Sequence, residues 1–208
     1  MSVEINADSK GLTRGHHKFT ENDEKFIVKD KIIAEFDFLR LAKSRRSIRR
    51  FTEKDVTKEQ LLRLIDAAQS APSAGNCQPW HFYVIKNKNL QEQMKDSAYQ
   101  QGFILYAPAC IVVCTESKRS GGRYGERGRE LYCLQDTAAA VQNILLCAKS
   151  MGLGTCWVGA FDEAKVTEIL NLPEGLRPVA IIPVGEPAED FKPQNRRTVD
   201  EIVTFIEE

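Results

Sequence analysis

The chain has 208 residues, 42% of them hydrophobic, enough to bury a full core as one domain or as one domain with an arm. Lys+Arg 29 balance Asp+Glu 29, and this absence of a basic excess argues against a general nucleic-acid binder. No apolar run reaches membrane-spanning length, and the polar start MSVEINADSK has no basic region followed by an apolar stretch, so a cytoplasmic protein is expected, with no membrane association.

Residues 1–35 read as a charged extension, and the His16-His17 pair within it has no ligand-like neighbour, so no metal site is expected. From Phe36, FDFLRLAKS has helical spacing and runs into SRRSIRRF, where Arg45, Arg46, Arg49 and Arg50 crowd together. In TEKDVTKEQLLRLIDAAQSAP, Thr57 and Gln60 predict a capping box and Pro72 a stop. HFYVIKN reads as a strand, a polar helix follows from about Leu90, and APACIVVCT is short enough for a buried strand. The glycine- and charge-rich segment 116–128 reads as a mobile loop, and its glycines do not form a dinucleotide-binding fingerprint.

ELYCLQDTAAAVQNILLCAKSMG is the most helical stretch, apolar on most sides, so it needs cover on most sides, for which a second subunit is a source. GTCWVGAF reads as a strand breaking at Gly159, DEAKVTEILNL as a helix, and RPVAIIPVGEP as a strand. In the tail, Thr198 and Glu201 predict a capped short helix just after Arg196 and Arg197. None of the six cysteines forms a Cys-x-x-Cys pair, and most lie in apolar runs, so they read as reduced thiols. Cys77, in a polar loop, is the exception. Trp80, His81 and Trp157 are expected to pack the core.

The arginine cluster either serves an anionic ligand or is a solvated patch, since each side chain is a charged planar fork suited to carboxylate or phosphate. SAPSAGNCQPWHFYVI, residues 70–85, supplies a loop of small and amide residues stiffened by Pro72 and Pro79, suited to a flat heteroaromatic ligand or simply to a polar turn.

RRSIRRF, PSAGNCQPWHF and GLGTCWVGAF, in this order, resemble the FMN-dependent nitroreductase family, from about Phe36 to the end. The resemblance implies an α+β fold, a three-layer α-β-α sandwich with a mostly antiparallel central sheet. It also implies an intertwined homodimer, residues 36–190 forming the FMN domain and 191–208 an arm exchanged onto the partner. By the same resemblance Arg45, Ser47 and Arg49 hold the flavin phosphate and the pyrimidine edge, with Arg46 the less certain match. Pro72, Ser73, Ala74 and Asn76 line the ring, Asn76 from across the dimer interface. Gln101, or Gln100 by a one-residue shift, meets the ring's polar edge, Gly159 and Ala160 approach flavin N5 through their backbone, and Arg196 or Arg197 completes the phosphate site.

The implied activity passes hydride from NADH or NADPH through flavin N5 to a nitroaromatic, quinone or similar small acceptor, by a ping-pong mechanism that needs no side-chain acid or base. Reductive dehalogenation, flavin breakdown and a non-catalytic flavin-binding role stand as alternatives.

Overall fold

The computed structural model describes residues 35–188 and 194–207. The His16-His17 pair, the extension before residue 35, and residues 191–193 of the arm lie outside the described residues. The chain divides into two units, Met1–Phe38 and Leu39–Glu208.

Helix α1, Glu35–Ser44, ends where the Ser44 hydroxyl donates to the Leu41 carbonyl, 2.9 Å. Helix α2, Lys58–Gln69, opens with the expected capping box: the Gln60 N–H donates to Thr57 Oγ1, 3.2 Å, and the Thr57 N–H to Gln60 Oε1, 2.9 Å. It buries Leu61, Leu64 and Ala68, one stripe at helical spacing. Strand β1, Trp80–Ile85, leads to α3, Lys88–Ser97, whose first turn is capped by Asn87. Then come α4, Phe103–Tyr106, and β2, Ala109–Glu116. Helix α6, Cys133–Ser150, is followed by β3, Gly154–Thr155, α7, Glu163–Ile169, and β4, Leu176–Gly185.

The sheet runs β1-β2-β4-β3, and every pairing is antiparallel. Strand β2 is buried from Ala109 to Thr115, so its alternating side chains must enter two cores. Ala109, Ile111 and Val113 join α2 and α6 through Leu64, Val141 and Ile144; Cys110, Val112 and Cys114 join α3, α4 and α7 through Met94, Ile104 and Val166. Helices on both faces of an antiparallel sheet make the three-layer α+β sandwich. Truncating Leu64 or Met94, both fully buried, to alanine costs about 2–5 kcal/mol.

The glycine-rich segment is not a loop. It forms α5, Ser117–Arg127, kinked at Gly125 (φ 60°), and a π turn, Gly128–Tyr132, that feeds α6. A Cβ at Gly128 would collide with the Ser120 carbonyl oxygen, so this glycine permits two backbones to pack together. The residues from 154 differ too: only Gly154 and Thr155 are strand, and Val158 makes an isolated bridge to Ile181. Trp157, expected in the core, is 41% exposed, because Cys156 and Val158 on either side of it turn inward. His81 is also exposed, and its ring meets Tyr83, centroids 4.9 Å apart.

The expected tail helix is absent: residues 199–202 form only turns and a bend. Glu201 accepts the Thr198 N–H, 2.7 Å, but donates its own N–H to the Thr198 carbonyl, so a tight turn takes the place of a capping box. Among the described residues no helix is long and apolar enough to cross a membrane.

Candidate functional site

The arginine segment lies along the sheet's β3 edge. Ser47 bridges Thr155 in parallel, the Ile48 N–H donates to the Thr155 carbonyl, 2.9 Å, and the Thr52 N–H to Glu186, 2.9 Å. This pairing occupies the side of β3 that faces away from β4. Gly154 makes the approach possible, since a Cβ there would sit 2.7 Å from the Cγ1 and Cγ2 of Ile48. Ile48 points inward and is buried, so its neighbours at odd numbers point away from the core.

Arg49, Ser47 and Arg45 all act on the titration of the Cys156 thiol. Burial raises its pKa, opposed by Arg49, by a hydrogen bond with Ser47 and by Arg45. The Arg45 guanidinium is itself lowered, first by burial, then by the charges of Arg196 and Arg46. Among the described residues no carboxylate forms an ion pair with Arg45, Arg49 or Arg196. Like charges drawn together without a counter-charge fit a phosphate.

Arg46 is occupied differently, folding back onto the carbonyls of Lys43, 2.5 Å, and Arg45, 2.7 Å. Arg197 likewise donates to the Glu201 carbonyl within the tail. The structure therefore separates Arg45, Arg49 and Arg196 from the other arginines expected at the site.

The Arg49 guanidinium lies 5.7 Å from the ring centroid of Phe103 in α4. Just before α4, Gln101 donates to the carbonyls of Ala98 and Ala160, both 3.0 Å, while Gln100, in the turn after α3, reaches back to Asp96 of that helix, 3.1 Å. Gln101, not Gln100, thus neighbours Gly159 and Ala160, both exposed. Beside Arg45 and Arg46 opens a cleft of about 180 Å³, also bounded by Ser44, Lys149 and Pro187. That is below the roughly 300 Å³ at which ligand pockets begin. The walls of the cleft also include Ile48, Leu145 and Leu153, and neither Ser47, Arg49 nor Arg196 lines it.

The loop from Pro72 to Gln78 stands apart. Its short 3-10 turn, Ala74–Asn76, carries left-handed backbone at Asn76 (φ 56°), and Gln78 follows at φ 48°, a strain concentrated at functional sites. Ser73 accepts the Gln78 N–H, 3.0 Å, and Gln78 donates to the Asn76 side chain, 3.1 Å. Its outward bonds run to α6 and α5: the Ala74 N–H donates to Asp136 Oδ1, 3.0 Å, while Arg119 donates to the Cys77 carbonyl and Arg123 to the Gly75 carbonyl, both 2.9 Å. No hydrogen bond among the described residues joins it to the arginine segment.

Asp136, Arg119, Arg123 and Phe103 are the positions that sequence reasoning missed. For Asp136 a signal existed, an acid on the buried stripe with Cys133 and Ala140. Burial raises its carboxyl, opposed by the Ala74 N–H and by Ser120 of α5. All six cysteines are free thiols, and burial pushes Cys110 and Cys114 up to about 12. Among the described residues no group of His, Cys, Asp and Glu is arranged to hold a metal.

Comparison with known proteins follows the same outline. The chain matches the Nitroreductase family over residues 42–104 and 97–186. A protein of Methanothermobacter thermautotrophicus, provisionally named an NADH dehydrogenase/NAD(P)H nitroreductase, is 34% identical over 167 residues, 77% of this chain and 83% of that protein. The FMN reductase [NAD(P)H] of Bacillus subtilis is 30% identical over 157 residues, 69% of this chain and 63% of that one. Among solved structures, the NADPH:FMN oxidoreductase of Vibrio harveyi complexed with NAD+ superposes with a TM-score of 0.74 at 25% identity, covering 81% of this chain and 76% of that one.

Proposed function

From the premise that the chain belongs to the nitroreductase family, we propose that it reduces small nitroaromatic, quinone or similar acceptors, with donor and acceptor using one site in turn, a ping-pong scheme. It is an NAD(P)H-dependent flavin oxidoreductase whose cofactor is FMN. What supports the site assignment is that Arg49, Ser47 and Arg45 all act on the Cys156 thiol, that Arg196 lies near enough to Arg45 to oppose its charge, and that no carboxylate among the described residues pairs with these arginines. When bound, FMN would supply the redox chemistry between the nicotinamide donor and the acceptor.

The chain's own residues bind and orient. Arg45 and Arg196 hold the phosphate, and Ser47 and Arg49 meet the pyrimidine edge. A fixed cation at that edge stabilises the negative charge the reduced ring carries, which favours reduction. Gln101, by holding the Ala160 carbonyl, orients the turn at Gly159 and Ala160 so that its backbone N–H faces N5. Pro72, Ser73, Ala74 and Asn76 border the ring, Asn76 from a second copy of the chain.

The homodimer rests on two observations. The flavin-bordering loop makes no hydrogen bond to the arginine segment, and the tail exposes Val199, Ile202, Phe205 and Ile206, the last 96%. In the proposed assembly residues 191–208 pack against the partner, and residues 36–190 hold the cofactor together with Arg196. The free thiols support a cytoplasmic setting.

The test is the visible spectrum of purified protein under anaerobic conditions, before and after NADPH and then NADH. A flavin band that bleaches and returns on adding a quinone or nitroarene is expected. Flavin that stays oxidised with both donors would contradict the reading.

A further inference from the structure

Segment 117–132 concentrates positive charge in a chain that is neutral overall: Lys118, Arg119, Arg123, Arg127 and Arg129 stand against Glu126 and Glu130. Lys118 pairs with Glu174 and Arg119 with Glu116. Arg123 and Arg127, both exposed, have no ion pair among the described residues. Each is braced instead. Arg123 lies 5.5 Å from the Tyr124 ring centroid and donates to the Gly75 carbonyl, 2.9 Å. Arg127 lies 5.3 Å from the Tyr132 ring centroid and donates to the Tyr132 hydroxyl, 3.0 Å. The two rings meet edge to face, centroids 5.3 Å apart at 80°. Two guanidiniums are thereby fixed on one aromatic platform.

Bracing matters energetically. An arginine on an open surface loses side-chain freedom when it binds, and that loss offsets much of the gain. Here the loss is already incurred in the folded protein. Each guanidinium has five N–H donors and uses few of them internally, so N–H groups remain for an oxyanion. The position adds a second constraint: through Arg123 the platform is bonded to Gly75, in the loop that the proposed function sets beside the flavin ring.

We propose that Arg123 and Arg127, held on Tyr124 and Tyr132, form an anion clasp that recognises an oxyanion carried by the substrate and makes the enzyme discriminate by substrate charge. The proposal rests on the oxidoreductase reading. The oxyanion that best suits two forked cations is a phosphate dianion, the 2′-phosphate that distinguishes NADPH from NADH. A carboxylate on the acceptor offers the same chemistry, and the experiment separates these sources.

The full-length, FMN-loaded dimer is assayed with NADPH and with NADH against a neutral quinone, then with NADH against nitrobenzene and against 4-nitrobenzoate. The variants are Arg127→Ala, Arg127→Glu and Arg127→Lys; Arg127 is chosen because Arg123 also holds the loop. In the wild type kcat/KM for NADPH is expected to exceed that for NADH. Arg127→Ala lowers the NADPH/NADH ratio roughly tenfold through KM, the scale of losing a charge-assisted hydrogen bond at a surface. Arg127→Glu lowers it further, Arg127→Lys restores part of it, and added salt compresses it. A loss confined to 4-nitrobenzoate supports the clasp and assigns the oxyanion to the acceptor. Turnover with equal losses for charged and uncharged partners would overturn the clasp and leave the oxidoreductase reading intact; flavin that neither donor reduces would overturn both.

Discussion

Residues 45–51 and the tail, residues 194–207, both carry paired arginines, yet the chain fastens them very differently. The first is tied to β3 through Ser47 and Ile48 and to the chain beyond β4 through Phe51, Thr52 and the Arg50 carbonyl. In the tail, Val199, Ile202, Phe205 and Ile206 face solvent, and its bonds close on nearby tail residues. One arginine in each segment, Arg46 and Arg197, folds back on local carbonyls, while Arg45 and Arg196 lie close enough to interact unfavourably. The proposed phosphate site thus has one half positioned by sheet hydrogen bonds and one half that needs something further to hold it.

The largest effect is expected where the less anchored half is challenged. Replacing Phe205 and Ile206 by aspartate should convert a dimer to a monomer at micromolar concentration, because each buried large side chain contributes about 1.5–3 kcal/mol and two-fold symmetry counts it twice. Sedimentation reads this directly, and an undisturbed dimer would break the contrast between the segments.

The rigid half is tested by Gly154→Ala, whose Cβ enters the 2.7 Å gap to Ile48. Overpacking of this kind costs about 1–3 kcal/mol, and it should lower both the melting temperature and FMN affinity. Trimming Ile48 to valine in the same chain should return part of each; no recovery would mean that Ile48 is not the obstruction.

Next in size is the contrast within the tail. Arg196→Ala should weaken FMN binding about tenfold, on the scale of a charged hydrogen bond, and Arg197→Ala by much less, both read by flavin fluorescence titration. Equal effects would erase the distinction drawn from the Arg197 contact with Glu201.

The smallest concerns Asp136, whose carboxyl burial holds above its ordinary 3.8. A raised acid contributes stability that is fully present below the unfolded value and is lost as pH rises through the folded one. Asparagine keeps an acceptor for the Ala74 N–H and does not ionise. Asp136→Asn should therefore gain stability relative to wild type as pH rises from 4 to 7, by about 1 kcal/mol or less, in urea unfolding at the two pH values. A difference that stays flat would show that the carboxyl ionises without cost.

What was legible in the sequence was what local chemistry decides. The capping box at Thr57 and Gln60, the buried strand at β2 and the arginine segment each announce themselves within a few residues. Sheet direction did not, since alternating helices and strands suit a parallel sheet equally well; the antiparallel arrangement came with the family resemblance. Segment 116–128 misled because glycine and charge are the composition of a loop, whereas Gly128 is there to let the Ser120 backbone approach, a long-range fact. The second partner of Thr155, Ser47, lies more than a hundred positions away, so no local pattern announces it. Asp136 was masked by the apolar helix around it. The choice of Gln101 over Gln100 turns on a left-handed backbone at Gln100, φ 64°, which no residue-type pattern foretells.

The central claim is that the rigid arginine segment holds the FMN phosphate and pyrimidine edge. The most direct measurement is the flavin content of the Arg45→Ala, Arg49→Ala double variant after gel filtration, beside its circular dichroism spectrum. The account predicts a folded protein that loses its flavin; a folded double variant that keeps a full complement of FMN would contradict it.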